Sequence, residues 1–208
     1  MSARIDIVNM ALGMLGEKRI TSIEDDSDVA KVVKDTYFIV RDATLEAHEW
    51  SFALKEFTPA KLEQDPDWAA ANFFSVPSDI IRIIRVEANR AGVTLPQSTI
   101  SNVGQTKSIY RRPEADWHLE SGLIISDEDS IVCLGIRRIE DEGIFSPLFT
   151  IAFVAHLATY LAYALTDSDG KFNAASALYT LKIKEAVSRD GMQGSSKRIR
   201  NRSLQNVR

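Results

Sequence analysis

The sequence predicts an α+β fold: a four-helix bundle formed by the N- and C-terminal segments, with an inserted, mainly antiparallel β-domain. Three observations favour this fold. Apolar residues recur at helical spacing near both ends of the chain, runs rich in Ile and Val fill the middle, and Ser121-Gly122 forms a turn signal between two apolar runs. The predicted limits are 1–49 and 145–190 for the helical domain, 50–144 for the β-domain and 191–208 for a basic C-terminal arm.

Two helices are predicted in the N-terminal segment. The first ends at Gly16, and its apolar residues at helical spacing are Ile5, Val8, Leu12 and Leu15. After an acidic loop, the second begins near Ser27 or Asp28, either of which can accept hydrogen bonds from free amide groups at a helix start. It continues to about His48, and its apolar stripe is Val29, Val33, Val40 and Ala47.

The third helix begins after Ser146, a favourable N-cap, with Pro147 at a position that tolerates proline. Residues 149–165 carry no formal charge when His156 is neutral, and their 17 residues reach the lower limit for crossing a bilayer. Acidic residues flank the stretch on both sides, and alanines at helical spacing suit close packing: Ala155, Ala158 and Ala162. We interpret it as a core helix of a soluble protein.

The fourth helix is expected from about Lys171 to Arg189, with one stripe formed by Phe172, Ala175, Tyr179 and Ala186. The short turn 166–170 separates it from the third helix, which favours antiparallel packing of the two.

The middle of the chain contains the strand signals. Residues 80–88 and 130–140 are rich in Ile and Val, and 117–127 reads as a hairpin that turns at Ser121-Gly122. The segment 88–108, which leads from the first of these runs toward the hairpin, is expected to be a long exposed connection.

The charge of the chain is unevenly distributed. The arm 191–208 contains five basic residues and no acid: Lys197, Arg198, Arg200, Arg202 and Arg208. Without these five of the 25 Lys and Arg, residues 1–190 keep 20 basic against 29 acidic residues, a formal charge of −9. We expect the arm to bind an acidic partner, to contact nucleic acid or to remain a solvated end.

Residues suited to catalysis or metal binding are sparse. His48, His118 and His156 stand in no metal-ligand spacing, and Cys133 is the single cysteine, in an apolar strand pattern. No nucleophile, base and orienting group occur together, so we expect no enzyme, no cofactor and no bound metal.

Three stretches taken in order resemble the tail tubular protein A family, the head-to-tail adaptors of short-tailed bacteriophages. The first, 9–56, has a helix ending in Leu-Gly-Glu, an acidic loop, and a long helix that breaks at the corner HEWSFA, 48–53. The second is FFSVPSDIIRIIRVEA, 73–88. The third runs from the hairpin at 117–127 through LGIRRIEDEG to FSPLF and the Ala-rich helix that follows.

The resemblance covers about 1–190, with a loose patch near 88–115. It implies a structural virion protein, made in the host cytoplasm, whose dodecameric ring joins the portal to the nozzle, a protein of tail tubular protein B type. Tail fibres attach nearby, and DNA passes the channel without specific binding. A body at −9 suits that passage, because basic walls would capture phosphates.

Two groups of site residues are predicted. His48, Trp50 and Phe52 are expected to pack at the domain junction, with a subunit contact as the alternative. The five basic residues of the arm are expected to dock on the portal or on a neighbouring subunit. A nucleic-acid-binding module that uses the arm is the alternative function.

Overall fold

The computed structural model describes residues 3–63, 72–89, 114–166 and 168–192, which form two compact units. Within those ranges the helical unit comprises residues up to 44, residues 50–52 and residues from 142 onward. The β-rich unit comprises 45–49 and 53–141. The described residues form four α-helices and two small antiparallel sheets, so the predicted α+β class is confirmed.

The four helices are α1, Ala3–Leu15; α2, Asp28–Glu46; α3, Pro147–Leu165; and α4, Asp169–Gly191. A short 3₁₀ turn, Glu142–Ile144, precedes α3. All four correspond to helices that the sequence predicts, with ends shifted by one or two residues.

Helix α1 ends as its sequence predicts. Gly16 takes a positive φ of 70°, which glycine adopts without steric cost. The Gly16 and Glu17 amides then donate to the carbonyls of Gly13 and Leu12, which satisfies two of the free carbonyls at the helix end. Behind this end, Val8, Leu12 and Leu15 are buried.

Helix α2 starts at a side-chain cap and ends earlier than expected. Ser27 Oγ accepts from the amide of Ala30 at 3.2 Å. The buried face contains Val33 and Val40 as predicted, together with Tyr37. Ala47 is wrong as a stripe residue, because α2 ends at Glu46 and leaves it exposed.

Helix α3 is the core helix of the helical unit. Ser146 Oγ accepts from the Phe149 amide, so the predicted cap is confirmed. Ala155, Ala158 and Ala162 are fully buried, and the helix packs against α1 and α4. In the described ranges α3 is also the one helix long and apolar enough to span a membrane by length and composition alone.

Helix α4 begins after Ser168, whose Oγ accepts from the Lys171 amide. Ala175 and Ala186 are buried as the stripe predicts. Phe172 is 40% exposed and does not belong to the buried face, although the neighbouring Lys171 Nζ donates to the Leu15 carbonyl oxygen at the end of α1.

The β-rich unit contains six strands: β1, Leu54–Phe57; β2, Asn72–Ser75; β3, Ile80–Ala88; β4, Trp117–Glu120; β5, Leu123–Ser126; and β6, Ile131–Arg137. One sheet has the order β1-β6-β3 and the other β2-β5-β4, with every pairing antiparallel. Both sheets contribute to one apolar core that includes Phe74, Val86, Ile124 and Cys133.

The predicted hairpin is present as β4 and β5. Ser121 and Gly122 have φ values of 51° and 78°, and a two-residue turn with both central residues at positive φ matches the right-handed twist of the strands. In the other sheet, β3 pairs irregularly with β6 around Gly135. A Cβ added at Gly135 would lie 2.9 Å from the Arg82 carbonyl oxygen, so the close approach requires glycine.

Candidate functional site

The corner that follows α2 turns its aromatic residues into the helical unit. Trp50 is fully buried, and its indole N–H donates to the Thr44 carbonyl oxygen at 3.0 Å. That carbonyl belongs to the last turn of α2, where the helix offers no partner of its own. Trp50 therefore ends the helix and fills the core with one side chain, and it has no exposed surface to offer another subunit.

An aromatic cluster surrounds the corner. The Trp50 and Phe52 rings lie 4.9 Å and 5.1 Å from Phe149 at the start of α3, both edge-to-face. Phe145 joins them, with its ring 4.8 Å from Phe149. Edge-to-face contacts of this kind add to the free energy gained by burial alone. The corner is thus a structural element of the helical core.

Ser51 joins the corner to the end of α4. Its amide and hydroxyl both donate to the carboxylate of Asp190, at 3.0 Å and 2.7 Å, and Asp190 is only 8% exposed. A carboxylate near a helix C-terminus is disfavoured by the helix dipole, so these hydrogen bonds are needed to hold it there. They fix the point at which the chain leaves α4 toward the arm. They also place the end of α4 beside the start of α3, as antiparallel packing requires.

A partly buried ion pair holds the 3₁₀ turn against α1 and α2. Arg4 Nε lies 2.7 Å from Glu142 Oε1, and the Tyr37 hydroxyl donates to the same oxygen at 3.1 Å. The hydrogen bond to Glu142 raises the pKa of Arg4, and burial followed by the Glu142 charge raises the pKa of Tyr37. Sequence reasoning missed this cluster, because Glu142 lies more than 100 residues from both Arg4 and Tyr37 and no local signal connects them.

His156 lies between α2 and α4. The Thr44 hydroxyl donates to the Val40 carbonyl at 2.6 Å, so it accepts from His156 Nδ1 at 2.7 Å. The imidazole stacks on Tyr179 with ring centroids 4.0 Å apart. Burial lowers the pKa of His156 to about 4, because no group compensates the charged form. His156 is a neutral packing residue.

Cys133 is fully buried in β6, and burial raises the pKa of its thiol to about 12. A protonated, enclosed thiol is a poor nucleophile and a poor metal ligand. Over the described ranges, no cluster of His, Cys, Asp and Glu is arranged to hold a metal ion.

No family model and no curated protein matches this sequence.

Two groups of predicted residues remain to be placed. All five basic residues of the arm lie outside the described residues, as does the connection beyond residue 89. His48 is half-buried just beyond α2, and its packing at the domain junction, with that of Trp50 and Phe52, stays a prediction.

The exposed large apolar side chains of the described residues lie mostly on the helices. Of the described residues, twelve large hydrophobic side chains are exposed, and eight of these lie on helices: Met10, Met14, Phe38, Ile39, Tyr160, Tyr163, Phe172 and Leu181. Exposed apolar side chains that adjoin one another mark protein contact surfaces, and Phe38 with Ile39 and Tyr160 with Tyr163 are neighbours on their helices. The sequence pattern shows which of these residues share a helix face. It identifies them as exposed only when the buried face of each helix is known.

Proposed function

We propose that this chain is a structural subunit of a homo-oligomeric ring, a dodecamer that joins the portal of a short-tailed bacteriophage to its tail nozzle and lets DNA pass. The observation that carries the proposal is the concentration of exposed apolar side chains on the helices. A ring subunit must cover such surfaces with its neighbours, whereas a monomer would leave them in water.

Two further features support the proposal. The buried polar groups have structural partners: Asp190 accepts from Ser51, and Glu142 accepts from Arg4 and Tyr37. The ordered resemblance to the tail tubular protein A family points to the same role. In this account the four helices gather around α3 as a bundle, and the bundle forms the body of the ring.

The arm gives the subunit its proposed attachment. Its arginines suit bidentate contacts with carboxylates on the portal or on the next subunit, and many copies on one ring add avidity. The hydrogen bonds between Ser51 and Asp190 hold the end of α4 and thereby set where each arm starts.

The experiment compares the full chain with a variant that ends at Ser196. Each is mixed with purified portal rings and sedimented. We expect the full chain to co-sediment with the portal and the shortened chain to fold but remain in the supernatant. Equal co-sedimentation of both chains would show that the arm is a solvated end.

Duplex DNA of random sequence tests the alternative function in the same assay. Binding to DNA that weakens steeply with salt, without binding to the portal, would favour a nucleic-acid-binding module. Neither chain binding the portal under any condition would contradict the adaptor proposal.

A further inference from the structure

We propose that neighbouring copies of this chain contact each other through two unlike surfaces: the outer face of α2 in one copy and the outer face of α4 in the next. The inference rests on the proposed ring function and names the contact that would build the ring. The α2 face comprises Asp35, Phe38, Ile39, Asp42 and Ala43. The α4 face comprises Ala174, Ala177, Leu181, Lys184 and Ser188.

The α2 face is an apolar stripe bordered by acids. Its members recur at spacings of three and four, which places them on one side of the helix, opposite the buried Val33 and Tyr37. Ile39 is 70% exposed at the centre of the stripe. An isoleucine this exposed, on a helix whose other side is already packed, gains from a partner that removes it from water.

Phe38 gives the α2 face a rigid edge. The guanidinium groups of Arg4 and Arg41 lie 5.3 Å and 5.2 Å from its ring centroid, and Tyr37 meets it edge-to-face at 5.4 Å. These contacts fix the ring although it is 39% exposed. A side chain that is already ordered loses little conformational entropy when a partner docks on it.

The α4 face is complementary in shape. Ala174 and Ala177 are small and exposed, and Leu181, 61% exposed, follows one turn later on the same side. Small residues on one helix admit the larger side chains of another, so the gap beside Ala177 can receive Ile39. This stripe lies opposite Ala175 and Ala186, which already pack inside the helical unit.

The two faces also differ in charge. Asp35 forms no ion pair with another described residue, and neither does Lys184. Nearby charges on α4 are already matched, since Lys182 lies 3.0 Å from Glu185. The contact therefore presents one unmatched acid from α2 to one unmatched base from α4.

An antiparallel alignment of α2 with α4 allows both the apolar contact of Ile39 and the pairing of Asp35 with Lys184. Asp35 precedes Ile39 by about 6 Å along α2, and Lys184 follows Leu181 by about 4.5 Å along α4. When Ile39 lies between Ala177 and Leu181, these offsets bring the two charges together. Because the two faces are different, the contact is heterologous, and where its rotation closes a heterologous contact builds a ring rather than a two-fold dimer.

The test uses two arginine variants of the full chain and mass photometry. Ile39→Arg blocks the α2 face, and Ala177→Arg fills the gap in the α4 face. Both positions are exposed, so circular dichroism should show folded proteins. Under the condition in which the wild type forms rings, alone or with portal rings present, we expect each variant by itself to remain monomeric.

Mixing the two variants gives the sharper result. Each keeps the face that the other has lost, so an equimolar mixture should form a one-to-one dimer and no ring. Leu119→Arg introduces the same charge at a 55% exposed position on β4, which belongs to neither face, and should leave rings intact.

Four outcomes overturn the inference: rings formed by either blocked variant, a mixture that stays monomeric, a mixture that forms rings, or ring loss in Leu119→Arg. If the wild type forms rings while the blocked variants do so too, the proposed function survives and only the faces are wrong. A wild type that stays monomeric, with or without portal, contradicts the proposed function itself.

A charge exchange tests the alignment. Asp35→Lys or Lys184→Asp alone should raise the concentration needed for half-assembly by about tenfold, and the double variant should return to within about threefold of the wild type. A double variant no better than the weaker single variant would show that these residues do not face each other.

Discussion

Acidification should destabilise the helical unit through His156. In the unfolded chain the imidazole binds a proton below its ordinary pKa of 6.5, whereas burial lowers the pKa of the folded side chain to about 4. The unfolded state therefore binds more protons between those values. Stability is fully present above about pH 6.5 and falls as the pH drops toward 4.

The magnitude follows from the same pKa difference. One pKa unit corresponds to about 1.36 kcal/mol, so the interval from 6.5 to about 4 gives an upper limit of about 3.4 kcal/mol. Water reaches part of the ring and screens the charge, so we expect about 2 kcal/mol. In the described part of the chain His156 forms no ion pair that would offset this loss.

His156→Phe isolates the effect. The phenyl ring keeps the stacking on Tyr179, and the Thr44 hydroxyl keeps its bond to the Val40 carbonyl. Urea unfolding followed by circular dichroism at pH 7.5 and 4.5 gives the pH-dependent loss of unfolding free energy for both chains. We expect that loss to be about 2 kcal/mol smaller in the variant.

His118→Phe is the matched control, because it replaces an imidazole whose side chain is 65% exposed. The loss of unfolding free energy on acidification should be the same in His118→Phe as in the wild type. An equal loss in wild type and His156→Phe would refute the reasoning, as would an NMR titration that places the pKa of His156 near 6.5.

Three other substitutions test the packing. Arg4→Met leaves the buried Glu142 carboxylate without its cation. Because Arg4 is itself partly exposed, we expect the free energy of unfolding measured in urea to fall by about 2 kcal/mol, and an unchanged value would show that the ion pair does not stabilise the fold. Gly135→Ala should cost about 2 kcal/mol because its methyl group would press on the Arg82 carbonyl, and a wild-type melting temperature would contradict this. Cys133→Ser should fold with a loss of about 1 kcal/mol or more, and the wild-type thiol should resist labelling, whereas rapid labelling in the folded protein would show an accessible Cys133.

Local signals in the sequence predicted the elements that local chemistry determines. Gly16 ends α1 because its positive φ favours glycine, Ser146 caps α3 through its hydroxyl, and Ser121-Gly122 forms the tight turn of the hairpin. Each of these depends on residues within a few positions of one another. The periodic apolar pattern likewise predicted the existence of all four helices.

The remainder depends on contacts between distant residues. Strands β1 and β2 have four residues each and no distinctive alternation, so only pairing with β6 and β5 defines them. The hydrogen bonds between Ser51 and Asp190 join positions 139 residues apart. Ala47 and Phe172 were assigned to buried stripes because periodicity gives the angle of a side chain and cannot show whether another element covers it.

The proposed ring assembles through the helices of neighbouring chains. Native mass spectrometry of the purified full chain, alone and with portal rings, measures this assembly. We expect one closed assembly of twelve 23.2 kDa chains, about 280 kDa, either alone or on the portal. Monomers or an open-ended distribution of oligomers under both conditions would contradict it.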